Sequence, residues 1–376
     1  MPPPPATEPP QIVPLCVDLD GTLIRTDLLW ESLVRLLKHN PLYGFALPFW
    51  WLRGRAHLKA QIALRVDVDV ALLPYHGPLI DFLLVEKSHG RPIFLVTASD
   101  SRLAQRVVQY LGFFDEAIAS DGKINLRGRN KAAKLAARFG AGRFDYAGNS
   151  SVDLPVWRQA RQAIVVNGSA KLAHQAARLT VLGQVFEPRK SWWRPLAQAL
   201  RIHHWLKNLI VFVPLLISHQ LTNAPLALAS LLAFFAFSLC ASALYILNDL
   251  REVDSDRQHP AKRLRPFASG DLPLPVGLAA ATVLLVGSAI LASSLPIMFS
   301  LVLGIYLALT IAYLWRPKQI PLLGPFCLAG LYTIRLIAGH EATRIAYSFW
   351  LVLFASLVFL GLALMTRFLK LDADLA

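Results

Sequence analysis

The sequence predicts two architectures in one chain: an N-terminal α/β domain built on a parallel sheet, followed by a C-terminal all-α bundle that spans a membrane. Three observations carry this. Short β-rich runs alternate with helix-like stretches over residues 11–187, the pattern of strands covered on both faces by helices. From residue 206 onward, long apolar segments are separated by short polar connections. The chain of 376 residues is 55% hydrophobic and only 16% charged, where an ordinary soluble domain carries about 25% charged residues. The length fits two or three domains, or one soluble domain with a membrane part.

The opening MPPPPATEPP predicts a disordered Pro-rich tail over residues 1–10 and lacks the basic-then-apolar order of a signal peptide, so the domain after it is expected to fold in the cytosol. Within residues 11–187, the runs IVPLCVDL, PIFLVTA, FDYAGNS and AIVVN are expected strands, and 100–111 and 130–139 expected helices. Residues 28–90 form a mostly helical insertion between the first two strands. Its stretch LYGFALPFWWL is too short to cross a bilayer; it either packs within the insertion or lies at a membrane interface. Cys16, Cys240 and Cys327 show no metal spacing and are expected as buried free thiols in a reducing compartment.

Residues 188–205 are expected as a linker and interfacial segment ahead of a transmembrane domain over 206–376. Six candidate spans follow, at roughly 206–221, 225–247, 274–293, 296–315, 321–339 and 348–366. Cations gather before the first span and after the second, fourth and sixth, while the connections after the third and fifth are poor in them. That asymmetry predicts a multi-pass protein of the inner or plasma membrane with both termini and the soluble domain in the cytoplasm. The net charge of +14 therefore does not imply nucleic acid, because the basic residues border apolar spans and form no stripe interleaved with aromatics.

The second span ends in NDLREVDSDRQHPAKRLRP. Eight acids lie between Lys207 and the C-terminus, and four of them fall within 249–256. On a continuous helix Asp249, Glu252 and Asp256 follow i, i+3, i+7 and share one face, with Asn248 beside it. Carboxylates so crowded repel unless a cation joins them, and Mg²⁺ shares oxygen ligands readily with a diphosphate. His259, Lys262, Arg263 and Arg265 follow as candidates for phosphate oxygens. The competing reading is a solvated loop with balanced charges. Arg335 stands inside an apolar span, where a charge is costly: it either serves function, or snorkels or pairs with a backbone carbonyl. His203, His204 and Lys207 either line the same mouth or anchor a helix end.

NDLREVDSD resembles the NDxxDxxxD motif of the UbiA superfamily of intramembrane prenyltransferases, with Glu252 replacing an Asp. RIHHWLKNLIVFVPLL and HPAKRLRPFASGDLP are similar to the branch containing decaprenyl-phosphate phosphoribosyltransferase. In YLWRPKQIPLLGPFCLAGLYTIRLIAG, Tyr313 and Lys318 align with the YxxxxK pattern of the family, and Arg335 follows. The resemblance covers roughly residues 195–370. It implies metal-binding roles for Asp249, Glu252 and Asp256, and substrate-binding roles for Lys207, Asn208, Asn248, His259, Lys262, Arg263, Arg265, Tyr313, Lys318 and Arg335. Gly324 stands where the family usually has an Asp, and about six helices stand where it usually has nine. The implied chemistry is transfer from a Mg²⁺-bound diphosphate donor involving a polyprenyl phosphate or diphosphate lipid. Phosphoribosyl transfer to polyprenyl phosphate is the leading form; an aromatic acceptor, or a truncated non-catalytic scaffold, are the alternatives.

In the soluble half, CVDLDGTLIRTD places Asp18 and Asp20 two residues apart at the end of a β-run. Two carboxylates there can divide labour, one attacking phosphorus and the other moving protons. DLDGT, FLVTASD, GRNKAAKL and YAGNSSVDLPVW resemble, in order, the four motifs of the haloacid dehalogenase superfamily. That resemblance implies a Rossmann-like fold with a helical cap at 28–90. It makes Asp18 the nucleophile, Asp20 the acid/base, and Thr97 and Lys131 the phosphate-facing hydroxyl and cation, with Asp18, Asp20 and Asp153 at Mg²⁺. Asn149 stands where the fourth motif usually has an Asp, so the domain is either a phosphatase acting on a phosphorylated sugar or its product, or a docking module.

Overall fold

The computed structural model of the chain describes residues 13–121, 124–186, 191–315 and 323–375; Lys318 lies outside them. The chain forms two compact units, Met1–Trp192 with Arg251–Leu274, and Trp193–Leu250 with Pro275–Ala376.

The first unit is built on six parallel strands in the order β3-β2-β1-β4-β5-β6. These are β1 Leu15–Val17, β2 Ile93–Asp100, β3 Glu116–Ser120, β4 Asp145–Gly148, β5 Gln162–Val165 and β6 Val181–Val185. Alternate residues of a strand face opposite sides, and the core divides accordingly. Leu15, Val17, Ile93 and Leu95 pack into one apolar cluster, while Cys16, Val96, Tyr146 and Val165 pack into the other. A sheet covered on both faces reads as unbroken apolar runs, and β1 has all three residues buried. The chain reverses its winding direction across β1 and β4, which makes the carboxyl ends of β1, β2 and β4 the topological switch point.

The insertion is helical, as the sequence predicts: α1 Leu28–His39, a 3₁₀ turn Pro41–Phe45, α2 Leu47–Leu52, α3 Arg55–Ala63, a turn Val70–Leu72 and α4 Gly77–Ser88. Asp27 starts α1 by accepting a hydrogen bond from the Leu29 N–H. Leu79 and Leu83 of α4 pack with the sheet cluster of Leu15 and Ile93, so α4 is the crossover between β1 and β2 rather than part of a cap. After β2, α5 Ser101–Leu111 is capped by Asp100 and ends at Gly112 in the left-handed region. Further helices α6 Arg129–Phe139, α7 Leu154–Trp157 and α8 Ala170–Ala177 complete the layers.

The second unit is helical: α9 Trp193–Leu200, a 3₁₀ segment Ile202–Phe212, α10 Val213–Ile217, and α11 Ala224–Arg251. After the short α12 Val253–Gln258, which belongs to the first unit, come α13 Leu274–Ser293, α14 Ile297–Trp315, α15 Leu323–Thr343 and α16 Phe349–Leu375. Among the described residues, four helices are long and apolar enough to cross a membrane: Trp193–Ile217, Ala224–Arg251, Leu274–Ser293 and Phe349–Thr366; Ile297–Tyr313 is a shorter apolar helix. The first of these apolar stretches begins earlier than residue 206, and it is not one straight helix, because Arg201 in the left-handed region separates α9 from the 3₁₀ segment.

Candidate active sites

Asp18 leaves the end of β1 with its N–H bonded to the Ala147 carbonyl at 2.9 Å, which anchors it between β2 and β4. Lys131, in the first turn of α6, donates to Asp18 Oδ1 at 2.7 Å and to the Tyr146 hydroxyl at 2.8 Å, and that hydroxyl donates to Asp153 Oδ1 at 3.0 Å. Asp20 is held separately: Oδ1 accepts from the Leu28 N–H at 2.8 Å, and Oδ2 from Ser99 Oγ at 2.7 Å and Thr97 Oγ1 at 3.4 Å. The two carboxylates of the first motif therefore sit in different environments. Asp18 faces an ammonium; Asp20 accepts from an amide N–H and two hydroxyls.

Burial raises the Asp18 carboxyl, opposed by Lys131 and assisted by Asp153 and Asp20, to about 7. Burial alone would strip the Lys131 proton, but Asp18 and Asp153 outweigh it and hold the ammonium charged. Asp27 is pushed up to about 6 by burial and then by Asp20.

These groups open into a cavity of about 970 Å³. Asp18, Asp20, Lys131, Asn149 and Asp153 line one part of it; Trp30, Leu33, Leu47, Trp51, Leu58 and Ile62 give it an apolar wall. The resemblance implies Asp153 as a metal ligand, and Asp153 lines the same cavity as Asp18. Its Oδ2 accepts from the Asn149 N–H at 3.1 Å, the Ser150 N–H at 3.1 Å and Ser150 Oγ at 3.2 Å, and Oδ1 from Tyr146. Three of these hydrogen bonds fall on Oδ2 and one on Oδ1, which leaves Oδ1 an acceptor position; Asp153 also holds the turn after β4 and, through Tyr146, reaches Lys131. Asp18, Asp153 and the Asn149 amide are oxygen donors lining one cavity, a set whose chemistry suits a hard cation such as Mg²⁺. Ser99 and Tyr146 are the residues that sequence reasoning missed; Ser99 lies two positions after Thr97 on the same strand, a spacing that could have revealed it.

Gly21 follows Asp20 with φ +76°, and a Cβ there would lie 2.0 Å from Asn149 Nδ2. Gly21→Ala is therefore expected to displace the Asn149 side chain and lower phosphate release at least tenfold, with the sheet intact by circular dichroism. An unchanged rate would show that the position of Asn149 does not matter.

The acidic stretch after α11 departs from the helical expectation. The helix ends at Arg251, and Glu252 is a non-helical link to α12, so Asp249 and Asp256 do not lie on one continuous helix face. In the second unit, Asp249 is buried and its two oxygens accept from Arg201 at 2.7 and 3.0 Å. Asn248 is half-buried. In the first unit, Asp256 is buried, with Oδ2 accepting from Arg265 at 2.8 Å and Oδ1 buried without a hydrogen-bond partner; Arg265 also lies 3.9 Å from Glu252. An orphaned carboxylate oxygen in a dry site is costly alone and suits a cation. Among the described residues no three His, Cys, Asp or Glu side chains are grouped to hold a metal ion. His259, Lys262 and Arg263 are exposed.

The same loop is tied to α1 by residues that the sequence reading did not single out. Arg257 donates to both Glu31 oxygens, at 3.1 and 2.7 Å, and to the Ala268 carbonyl at 3.1 Å. Arg35 bonds Glu31 at 2.9 Å and also Asp254.

In the second unit, Arg335 is buried and bonded to protein through all three of its nitrogens. It donates to Asn208 Oδ1 at 2.8 Å, to the Tyr306 hydroxyl at 3.1 Å and to the Leu331 carbonyl, and lies over the Tyr306 ring at 5.0 Å. Asn208 passes its amide on to Ser238 Oγ at 3.0 Å. Lys207 is exposed over the Tyr332 ring at 5.9 Å, Tyr313 is half-buried, and Gly324 is buried. Arg335 and Asn208 thus form one buried network, a positioning arrangement that satisfies the charge without a carboxylate.

Comparison with known proteins gives two family matches: the model for the UbiA prenyltransferase family over residues 209–376, and that for haloacid dehalogenase-like hydrolases over 15–158. The uncharacterized protein y4nM of Sinorhizobium fredii is 37% identical over 359 residues, covering 94% of this chain and 69% of that protein. Decaprenyl-phosphate phosphoribosyltransferase of Corynebacterium glutamicum is 33% identical over 175 residues, covering 45% of this chain and 52% of that protein. The chain thus spans about half the length of this transferase. A solved structure of phosphoserine phosphatase in apo form matches 47% of this chain and 94% of its own at 16% identity and a TM-score of 0.33.

Proposed function

We propose, for an integral membrane chain that belongs to the UbiA prenyltransferase family in its C-terminal part and to the haloacid dehalogenase-like hydrolases in its N-terminal part, that it transfers a phosphoribosyl group to a polyprenyl phosphate and then removes the sugar phosphate of the product. The observation that carries this reading is the presence, in the same chain as a UbiA-family domain with phosphoribosyltransferase relatives, of a buried Asp18–Lys131 pair beside a separately held Asp20.

In the transfer, a phosphate oxygen of the lipid attacks the anomeric carbon of phosphoribosyl pyrophosphate. The bond from that carbon to the pyrophosphate oxygen breaks, and pyrophosphate departs with the electron pair. His259, Lys262, Arg263 and Arg265 bind its oxygens, since cations placed where charge develops lower the barrier. In the hydrolase unit, a carboxylate oxygen of Asp18 attacks phosphorus, while the leaving sugar oxygen takes a proton from Asp20. Water then attacks the aspartyl phosphate and gives a proton to Asp20, releasing phosphate and restoring Asp18. Lys131 orients Asp18 and neutralises the incoming phosphate. Asp18, Asp153 and Asn149 in one unit, and carboxylates of NDLREVDSD for the transfer, would hold Mg²⁺, which would supply Lewis-acid neutralisation of phosphate charge. The hydrolase unit faces the cytoplasm, in keeping with the cations before the first expected span and after the second, fourth and sixth.

The test gives purified protein in detergent Mg²⁺, labelled phosphoribosyl pyrophosphate and a polyprenyl phosphate. Label should enter the lipid fraction, and Asp249→Asn should raise the Mg²⁺ requirement roughly 10–100-fold, the range for disturbed metal sites. Absence of lipid-linked label in the wild type, or transfer from a polyprenyl diphosphate to a phenolic acid instead, would replace this reading.

A further inference from the structure

The insertion of the hydrolase unit carries a surface that a soluble domain would not keep. Leu42, Phe45, Phe49, Trp51 and Leu52 are 58–77% exposed, five large apolar side chains within eleven residues. Scattered apolar residues are ordinary, but a contiguous patch marks an interaction site. Exposed cations border it: Lys38 before, Arg53 and Arg55 after. Aromatic and aliphatic side chains rimmed by basic ones are the composition of a segment seated at the headgroup level of an anionic bilayer. A bilayer is also the one apolar partner this chain always has, because the chain itself crosses it.

The other side of the same segment faces the catalytic cavity. Gly44, Leu47, Pro48 and Trp51 line it, Trp51 being both exposed and a wall residue. Arg55 and Arg127 line it as well and are exposed. Trp51 therefore belongs both to the exposed apolar set and to the wall of the cavity that contains Asp18, with Arg55 and Arg127 on that wall. A free sugar phosphate would have no use for such an approach; an amphiphile would.

We propose that the Leu42–Leu52 face lies in the interfacial layer of the bilayer, and that the hydrolase takes its phosphomonoester from that layer, as a phosphosugar carried on a prenyl-type lipid through a phosphodiester. The terminal phosphate reaches Asp18 and Lys131, Arg55 and Arg127 meet the bridging phosphate, and the first isoprene units follow Leu47 and Trp51 outward. This rests on the reading of the N-terminal unit as a phosphatase, but its location half does not.

Two measurements on the full chain in nanodiscs containing anionic lipid decide it. An environment-sensitive fluorophore on Phe45→Cys should be quenched by lipid spin-labelled near the headgroup, while the same probe on Val85→Cys, an exposed position on α4, should not. Equal, water-like signals at both positions overturn the proposal even if the phosphatase is active. Phe45→Ser/Phe49→Ser/Leu52→Ser should hydrolyse a soluble sugar phosphate at the wild-type rate, which verifies its fold, and a lipid-borne phosphosugar at least tenfold more slowly. Equal losses on both substrates, or none on the lipid, overturn delivery from the membrane. If the wild type hydrolyses neither substrate, the phosphatase reading and the delivery proposal fail together, while the quenching result still decides where the face lies.

Discussion

Asp18→Asn is expected to reduce phosphate release to background, and Lys131→Met to reduce it by about 10²–10³-fold, the scale for losing one preorganised electrostatic partner. The two losses have different causes. An amide cannot form the aspartyl phosphate, so no substrate or pH rescues Asp18→Asn. Lys131→Met keeps the nucleophile but strands it: the ammonium at 2.7 Å goes, while Asp153 and Asp20 remain to repel its charge. The Asp18 carboxyl, already raised to about 7 in the wild type by burial, must then rise further. The variant should accordingly regain part of its rate as the pH increases. Its stability moves the opposite way. A carboxyl raised above its unfolded value binds more protons folded than unfolded, so its contribution is full below the unfolded value near 4 and declines as pH rises through the folded one. In EDTA, thermal midpoints of Lys131→Met should fall with rising pH over a window that extends beyond 7, past that of the wild type. Parallel curves would show that Lys131 does not set the charge of Asp18.

Much of the hydrolase unit was legible because its signals are local. β1, β2, β4 and β5 are runs buried on both faces, and α5 and α6 lie within a residue or so of 100–111 and 130–139. β3 and β6 gave no comparable signal: EAIAS has one β-branched residue, VLGQV has a glycine at its centre, and both sit at the sheet edges where burial is partial. Asp18, Asp20, Thr97 and Lys131 were legible as motif residues, and the structure brings them together. What sequence could not provide was which groups occupy those side chains. Tyr146 reads as a core aromatic in FDYAGNS, yet its hydroxyl joins Lys131 to Asp153. The carboxylate stretch shows the same limit. Spacing gives Asp249, Glu252 and Asp256 one helical face, but Glu252 leaves the helix, and arginines far off in sequence or across the loop take up the acids. Asp254, off that face and therefore passed over, is the one that reaches Arg35.

Glu31→Gln follows from that last ion-pair network, and its expected effect is the largest on stability. Glu31 and Arg257 are only 2% and 5% exposed at their side chains, and Arg35 is 10% exposed. Removing one charge from such a network leaves the others buried without compensation, which costs about 3–5 kcal/mol. The loss should concentrate in the loop, because Arg257 is also the residue that bonds the Ala268 carbonyl and closes it. Trypsin should then cut faster after Lys262 and Arg263, which are exposed on that loop. Asp256 precedes Arg257 on α12, so a loosened α12 carries the motif carboxylate with it; lipid labelling should weaken while hydrolysis of a soluble sugar phosphate persists. The pH dependence separates charge from shape. Burial would raise the Glu31 carboxyl, but the Arg257 guanidinium with its hydrogen bonds, and then Arg35, outweigh burial and leave it below the usual range. A depressed carboxyl stabilises fully above its unfolded value near 4.5 and ceases to do so as pH falls through the folded one. Wild type and Glu31→Gln should therefore differ most near neutrality and converge in acid, in both thermal midpoint and cleavage rate. If the gap between them is constant from pH 7 to pH 3, the residue acts through packing, and the loop is not held by charge.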